Sequence, residues 1–194
     1  IDAVGHDYQW QVVELSSFQL ETIEDFRPGY AMLINISEDH PDRYPDMASY
    51  VAAKARIFEN LAEDDIAILN ADDPQVMQAA SATVANKVCF SSQSVLDTGM
   101  SLVEGQIVWR WQGDEAVFPV RELQIRGQHN QENVMAALIP LLVAGCPAEV
   151  AWAAAKAFTG LPHRMEFLGE LGGASWYNDS KGTNIGSVVK SLAG

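Results

Sequence analysis

Tyr30-Ala-Met-Leu-Ile-Asn-Ile36 and Asp64-Asp-Ile-Ala-Ile-Leu-Asn70 are short apolar runs that end in polar residues, and between them Tyr50, Val51, Ala53, Ile57, Phe58 and Leu61 recur at helical spacing over residues 47–62. A strand buried on both faces is apolar along its whole length, whereas a helix lying on it needs only one apolar stripe. The stretch therefore reads as strand, helix, strand. Lys87-Val-Cys-Phe90 repeats the strand pattern after a short helix over 74–82, with Pro74 in the first turn, where a missing N–H costs little. Upstream, Gln11-Val-Val-Glu-Leu15 has the same character. Such alternation predicts an α/β fold, a mostly parallel sheet flanked by helices, whose ligands bind beyond the carboxyl ends of the strands.

Past Gly99 the period falls to two. Ile107-Val-Trp-Arg-Trp111 and Ala116-Val-Phe-Pro-Val120, around the turn signal Gly113-Asp114, read as a small antiparallel β excursion. Residues 132–144 and 148–158 are two apolar helices joined by Gly145-Cys-Pro147. A hairpin is expected over 165–171 and 174–178 around Gly172-Gly173, then a helix over 184–192. A boundary near Gly160–Pro162 divides the chain into residues 1–161 and the beginning of a second α/β domain at 162–194.

The 194 residues carry 12 Lys+Arg against 26 Asp+Glu, a formal charge of −14. Nucleic acid and anionic membranes select basic faces, so neither is an expected partner, and an anionic substrate must be met by locally placed Arg, Lys or metal. Cys89 and Cys146 each sit in an apolar run, as thiols do in a reducing compartment, and the chain reads as cytoplasmic. The longest apolar run, residues 134–146, is broken by Pro140 and Gly145 and falls short of the ~20 residues of a membrane span. A first residue of Ile1 and no basic, apolar leader make the chain read as part of something longer.

Several polar groups fall just after strands or at helix starts. Glu14 closes an apolar run and is followed by Ser16; a carboxylate there can hold Mg²⁺ beside a nucleotide, although a solvated strand end looks the same. Ser37-Glu-Asp-His-Pro-Asp-Arg-Tyr44 is dense in ionisable groups, either a binding loop or simply a charged one. Lys54 lies on a helix among alanines, where a snorkelling side chain is the plainer reading. Asn130 and Asn133 open a helix on one face, as caps or as amides able to read an adenine edge. Arg164 offers a fork for phosphate, or a surface ion pair. Asn178-Asp-Ser-Lys-Gly-Thr-Asn184 resembles a turn but is rich in hydrogen-bonding groups. No G-x-x-x-x-G-K-[ST] phosphate loop occurs in the chain.

Taken in order, Glu14-Leu-Ser-Ser-Phe-Gln-Leu-Glu21, Glu38-Asp-His-Pro-Asp-Arg-Tyr44, Ala53-Lys-Ala-Arg-Ile-Phe-Glu-Asn60, Asn70-Ala-Asp-Asp73, Gly127-Gln-His-Asn-Gln-Glu-Asn133, Thr159-Gly-Leu-Pro-His-Arg-Met-Glu166 and Asn178-Asp-Ser-Lys-Gly-Thr-Asn184 resemble the Mur ligase family along nearly the whole chain. The first motif is similar to that of the member adding D-glutamate to UDP-N-acetylmuramoyl-L-alanine; Pro41 and Gly182 stand at positions taken as variable. The resemblance implies the central, ATP-using domain without its phosphate-loop part, followed by the opening of the C-terminal domain. It implies a monomeric ligase in which ATP phosphorylates a carboxylate and an amine displaces the phosphate. It further implies two Mg²⁺ ions, one held by Glu14 and one served by His40 and a carbamylated Lys54. Asn130 and Asn133 would then contact adenine, and Arg164 and Asp179 the phosphates and ribose. Ser16, Lys181 and Thr183 would lie on the substrate side. A sibling ligase adding another amino acid, including the folylpolyglutamate type, and a non-catalytic nucleotide-binding module are the competing readings.

Overall fold

The structure, a computed structural model, describes residues 9–182 together with 188 and 189. One six-stranded sheet has the order β1-β2-β3-β4-β5-β6, formed by Tyr30–Leu33, Ile66–Asn70, Asn86–Ser91, Gly99–Val103, Gln106–Trp111 and Asp114–Pro119. The first four strands are parallel neighbours, and β4, β5 and β6 then run antiparallel. The antiparallel excursion is thus no separate flap: its first strand hydrogen-bonds to β3 and extends the main sheet. Gly99 makes this join possible, because its φ is +106° and a Cβ there would overlap the Cys89 carbonyl oxygen. The tight turn between β5 and β6 centres on Gln112 and Gly113, both with positive φ as a two-residue hairpin loop of this kind requires.

Alternation along the strands builds two cores. Ile66 and Ile68 of β2 point to one face and Ala67 and Leu69 to the other. On the second face lie α2 (Met47–Ala55), continued by a 3₁₀ turn at Arg56–Phe58, and α3 (Pro74–Ala79). On the first face α4 (Gln128–Val143) and α5 (Ala148–Ala157) bury Met135, Ile139 and Trp152 against Phe90, Met100, Ile107 and Phe118. α4 contains Pro140, which shares the helix with Gly127 as its unassisted N-cap. A second, two-stranded sheet is formed by β7 (Glu166–Leu171) and β8 (Ala174–Asn178), separate in hydrogen bonding from the first.

Expected and observed elements differ chiefly at one place. The run 11–15 forms no strand: Val12 is 98% exposed and no described strand pairs with it. Apolar pattern alone cannot make a strand, since each strand needs a neighbour's carbonyl and amide groups. A four-residue helix, α1 (Ser17–Leu20), follows it. The helix expected over 47–62 tightens after Ala55, and the one over 132–144 starts earlier, at Gln128. The helix expected over 184–192 lies outside the described residues except for 188 and 189.

An ion pair at the amino end of the sheet sets an acid limit on stability. Buried Asp65 accepts from Arg27 Nε at 2.6 Å and from the Ala62 N–H at 2.7 Å, and the Arg27 hydrogen bond holds its pKa below the usual value. A depressed carboxyl pKa stabilises the folded state above the unfolded value of about 3.9, and that contribution is lost as pH falls through the lower folded value. Urea unfolding of the parent and Asp65→Asn should therefore differ at neutral pH and converge in strong acid. A gap that persists unchanged at low pH would exclude this pair as its source.

Candidate functional site

The parallel strands β1, β2 and β3 release their chains at the same end of the sheet, and polar side chains gather there. After β1 the chain runs through Ile36, whose N–H donates to Asp73 Oδ2 at 2.9 Å, to His40. Asp73 also caps α3 through the N–H groups of Gln75 and Val76. Asn70 Oδ1 accepts from the Asp72 N–H at 2.9 Å, and Asp72 reaches across to Ser91, which ends β3, and to Ser92 just after it. Asn70, Asp72 and Asp73 thus tie three strand ends together, a role their polar character did not announce. The sequence marked these residues only as the Asn70-Ala-Asp-Asp73 motif and the start of the helix at Pro74.

His40 has φ +54° and its ring centroid lies 4.9 Å from that of Phe18 on α1. Phe18 in turn stacks on Tyr44 at 6.2 Å, so aromatic contacts hold the segment bearing Glu14 and Ser16 beside the loop after β1. Arg43 and Glu21 form an ion pair across the same junction. Arg56 donates to the carbonyls of Glu21 and Ile23, and Asn60 Nδ2 donates to the carbonyls of Glu24 and Phe26, pinning the connection from α1 to β1. Here the Arg and Asn of the Ala53–Asn60 motif are structural.

Lys54 is half-buried on the last turn of α2, with Nζ 5.2 Å from the Tyr50 ring centroid. Burial pushes its pKa down, and the attraction of Asp39 and Glu14 pulls it partly back. Glu14, Asp39, His40 and Lys54, spread over forty positions of sequence, therefore share one neighbourhood; His40 Nε2 is 3.8 Å from Asp39 Oδ2. Asp39 was seen in the sequence only as one charge of a dense loop. Ser16 is exposed at the N-cap of α1, its Oγ accepting from the Gln19 N–H, with Gln19 Oε1 accepting from the Ser16 N–H.

Three of the remaining candidates, Asn130, Asn133 and Arg164, line, with His129 and others, a cleft of about 1250 Å³ between α4, α5 and the β7–β8 hairpin. Asn130 Nδ2 donates to the Arg126 carbonyl at 2.7 Å, so this amide braces the start of α4. Asp179 Oδ1 accepts from the Met165 N–H at 3.1 Å, and the Lys181 N–H donates to the His163 carbonyl. Both bonds fold the turn after β8 back onto the residues around Arg164. Thr183 lies outside the described residues.

The mostly parallel sheet and its flanking helices are shared with known proteins. The Mur ligase middle domain matches residues 2–141. The chain is 55% identical over 188 residues to the UDP-N-acetylmuramoylalanine--D-glutamate ligase of Syntrophotalea carbinolica, covering 97% of this chain and 42% of that protein. It is 54% identical over 181 residues to the ligase of the same name from Geotalea uraniireducens, covering 93% of this chain and 40% of that one. The chain thus spans about two-fifths of the length of these curated relatives. Among solved structures, MurF from Acinetobacter baumannii superposes with a TM-score of 0.63 at 18% identity over 84% of this chain and 36% of that one. A pseudomurein peptide ligase type C from Methanothermus fervidus gives 0.56 at 18% identity, over 73% and 36%. With a family match across most of its residues and a shared fold, the chain belongs to the Mur ligase family, whose middle domain it contains.

Proposed function

We propose that this chain is the ATP-using middle part, residues 1–161, and the opening of the following domain, 162–194, of a ligase that joins D-glutamate to UDP-N-acetylmuramoyl-L-alanine. The named relatives, more than half identical over nearly the whole chain, support the substrates. The observation that carries the chemistry is that half-buried Lys54 and His40 both lie against Tyr50, with Asp39 beside His40 and the charges of Asp39 and Glu14 bearing on Lys54. We read the protein as a cytoplasmic monomer; among the described residues no helix is long and apolar enough to cross a membrane.

Mg²⁺ is commonly held by one or two carboxylates together with waters and phosphate oxygens, not by a closed protein cage. Among the described residues no three His, Cys, Asp or Glu side chains converge as a metal cluster, and the open arrangement around Lys54 fits such a partial site. Glu14 supplies a carboxylate for one ion; His40 and Lys54, the latter as a carbamate, serve a second. Carbamylation needs a neutral amine, which burial of Lys54 favours, and it replaces a repelling ammonium with an anionic oxygen ligand. ATP would transfer its terminal phosphoryl group to the substrate carboxylate, releasing ADP and leaving an acyl phosphate. The amine of D-glutamate would then displace phosphate and lose a proton to give the amide, and metal ions at this site would neutralise the phosphate charge. Asn130 and Asn133 hold the adenine side, Arg164 and Asp179 the phosphates and ribose. Ser16, Lys181 and Thr183 face the other substrates.

In the complete ligase, ADP release should require D-glutamate and the UDP-muramoyl substrate together. Equal rates with a different amino acid would replace this reading by that of a sibling ligase. The 194-residue chain alone, lacking a phosphate loop, should release no ADP under the same conditions, because phosphoryl transfer depends on positioned donors around the moving charge. Turnover near that of the complete ligase would show that the active centre lies elsewhere.

A further inference from the structure

α4 begins without a side-chain cap. Gly127, at φ +92°, is its N-cap and has no side chain to offer, while the Asn130 amide reaches back to the Arg126 carbonyl. A side-chain knot ties this end of the helix to the residues that leave β3. Ser92 Oγ lies 2.7 Å from Glu132 Oε1 and 3.1 Å from Asp72 Oδ2, and it accepts from Gln128 Nε2 at 2.9 Å. Gln128 Nε2 also reaches Glu132 Oε1 at 3.2 Å. The hydroxyl has one proton, and the shorter contact assigns it to Glu132. Asp72 does not depend on it: Oδ2 accepts from the Ser92 N–H at 2.7 Å and Oδ1 from the fully buried Ser91 hydroxyl at 2.5 Å.

Helical spacing gives this knot a direction. Gln128 and Glu132 are four residues apart and share one side of α4, while Asn130 and Asn133 fall on roughly the opposite side, toward the cleft. We propose that Ser92 is a positioning residue which, through Glu132 and Gln128, fixes the rotation of the first turn of α4 and so aims Asn130 and Asn133 into the cleft. This rests on the reading of that cleft as the nucleotide site. The buried half of α4, from Val134 to Ile139, anchors the helix to the sheet whether or not the knot is made, so loss of the knot loosens the aim of the first turn and not the fold.

The test is steady-state kinetics of the complete ligase in the parent, Ser92→Ala, Ser92→Thr and Asn133→Ala forms, with thermal unfolding beside them. Ser92→Ala should raise the KM for ATP by about five- to ten-fold, as a charge-assisted contact only partly transmitted to the ligand allows. The kcat and the KM for D-glutamate should stay within about two-fold, since no group on the reacting atoms is touched. Ser92→Thr, which keeps the hydroxyl, should return the KM toward the parent value. An unchanged KM in Ser92→Ala while Asn133→Ala raises it overturns the positioning role and leaves the nucleotide site intact. A lowered melting temperature with unchanged KM also overturns it, leaving Ser92 merely structural. If neither Ser92→Ala nor Asn133→Ala alters the KM, the nucleotide does not meet α4 and the reading of the cleft itself fails.

Discussion

Lys54→Ala in the complete ligase should remove nearly all activity, a loss on the order of 100- to 1,000-fold, comparable with deleting one group that stabilises transition-state charge. The side chain is half-buried against Tyr50, with Glu14 and Asp39 near enough to bear on its charge. An unmodified ammonium in that place would repel Mg²⁺; a carbamate would ligate it through oxygen. Short carboxylic acids added to Lys54→Ala should therefore restore part of the rate by occupying the space with an anionic oxygen. Lys54→Arg should stay inactive, because a guanidinium is always charged and cannot become that ligand. Normal rates in Lys54→Arg would end the carbamate proposal, and an inactive Lys54→Ala that no carboxylate rescues would point to a direct cationic role.

His40→Ala should lower kcat by roughly 10- to 100-fold and raise the Mg²⁺ concentration needed for half-maximal rate, the scale on which metal-site supports act. Its melting temperature should remain close to the parent's. The side chain is 42% exposed, and its ring lies tilted against Phe18 and edge-on to Tyr50, with a long approach to Asp39. The neighbouring loop is held by other groups, since Ile36 is bonded to Asp73 and the Arg43 side chain pairs with Glu21. A surface histidine would give no effect on either measurement, and a packing histidine would lower the melting temperature without altering the Mg²⁺ dependence. Each of those patterns would take His40 out of the metal site.

Two kinds of information were legible from sequence to different depths. The central strands could be read because Ile66 to Leu69 are buried on both faces, which writes an unbroken apolar run whatever the neighbours are. The helix after β1 could be read because its stripe must match the sheet. The join of β4 to β3 could not: it depends on a pairing between residues ten positions apart and on the space that Gly99 leaves beside Cys89. Residues 11–15 misled for the converse reason, carrying a strand's composition without a described partner.

The site divides in the same way. Order and spacing of the motifs, by resemblance, proposed Glu14, His40, Lys54, Asn130, Asn133, Arg164 and Asp179 as candidates, because residue type and sequence position are local properties. Only the tertiary structure decided that burial lowers the Lys54 pKa while the charges of Asp39 and Glu14 oppose the shift, and that Arg56 and Asn60 serve the backbone of 21–26. It alone joined Asp72, Ser92 and Glu132 into one hydrogen-bonded group at the start of α4. Hydrogen bonds and electrostatic shifts depend on distances of a few ångströms between residues far apart in the chain, and those distances exist only once the sheet has brought its strand ends together.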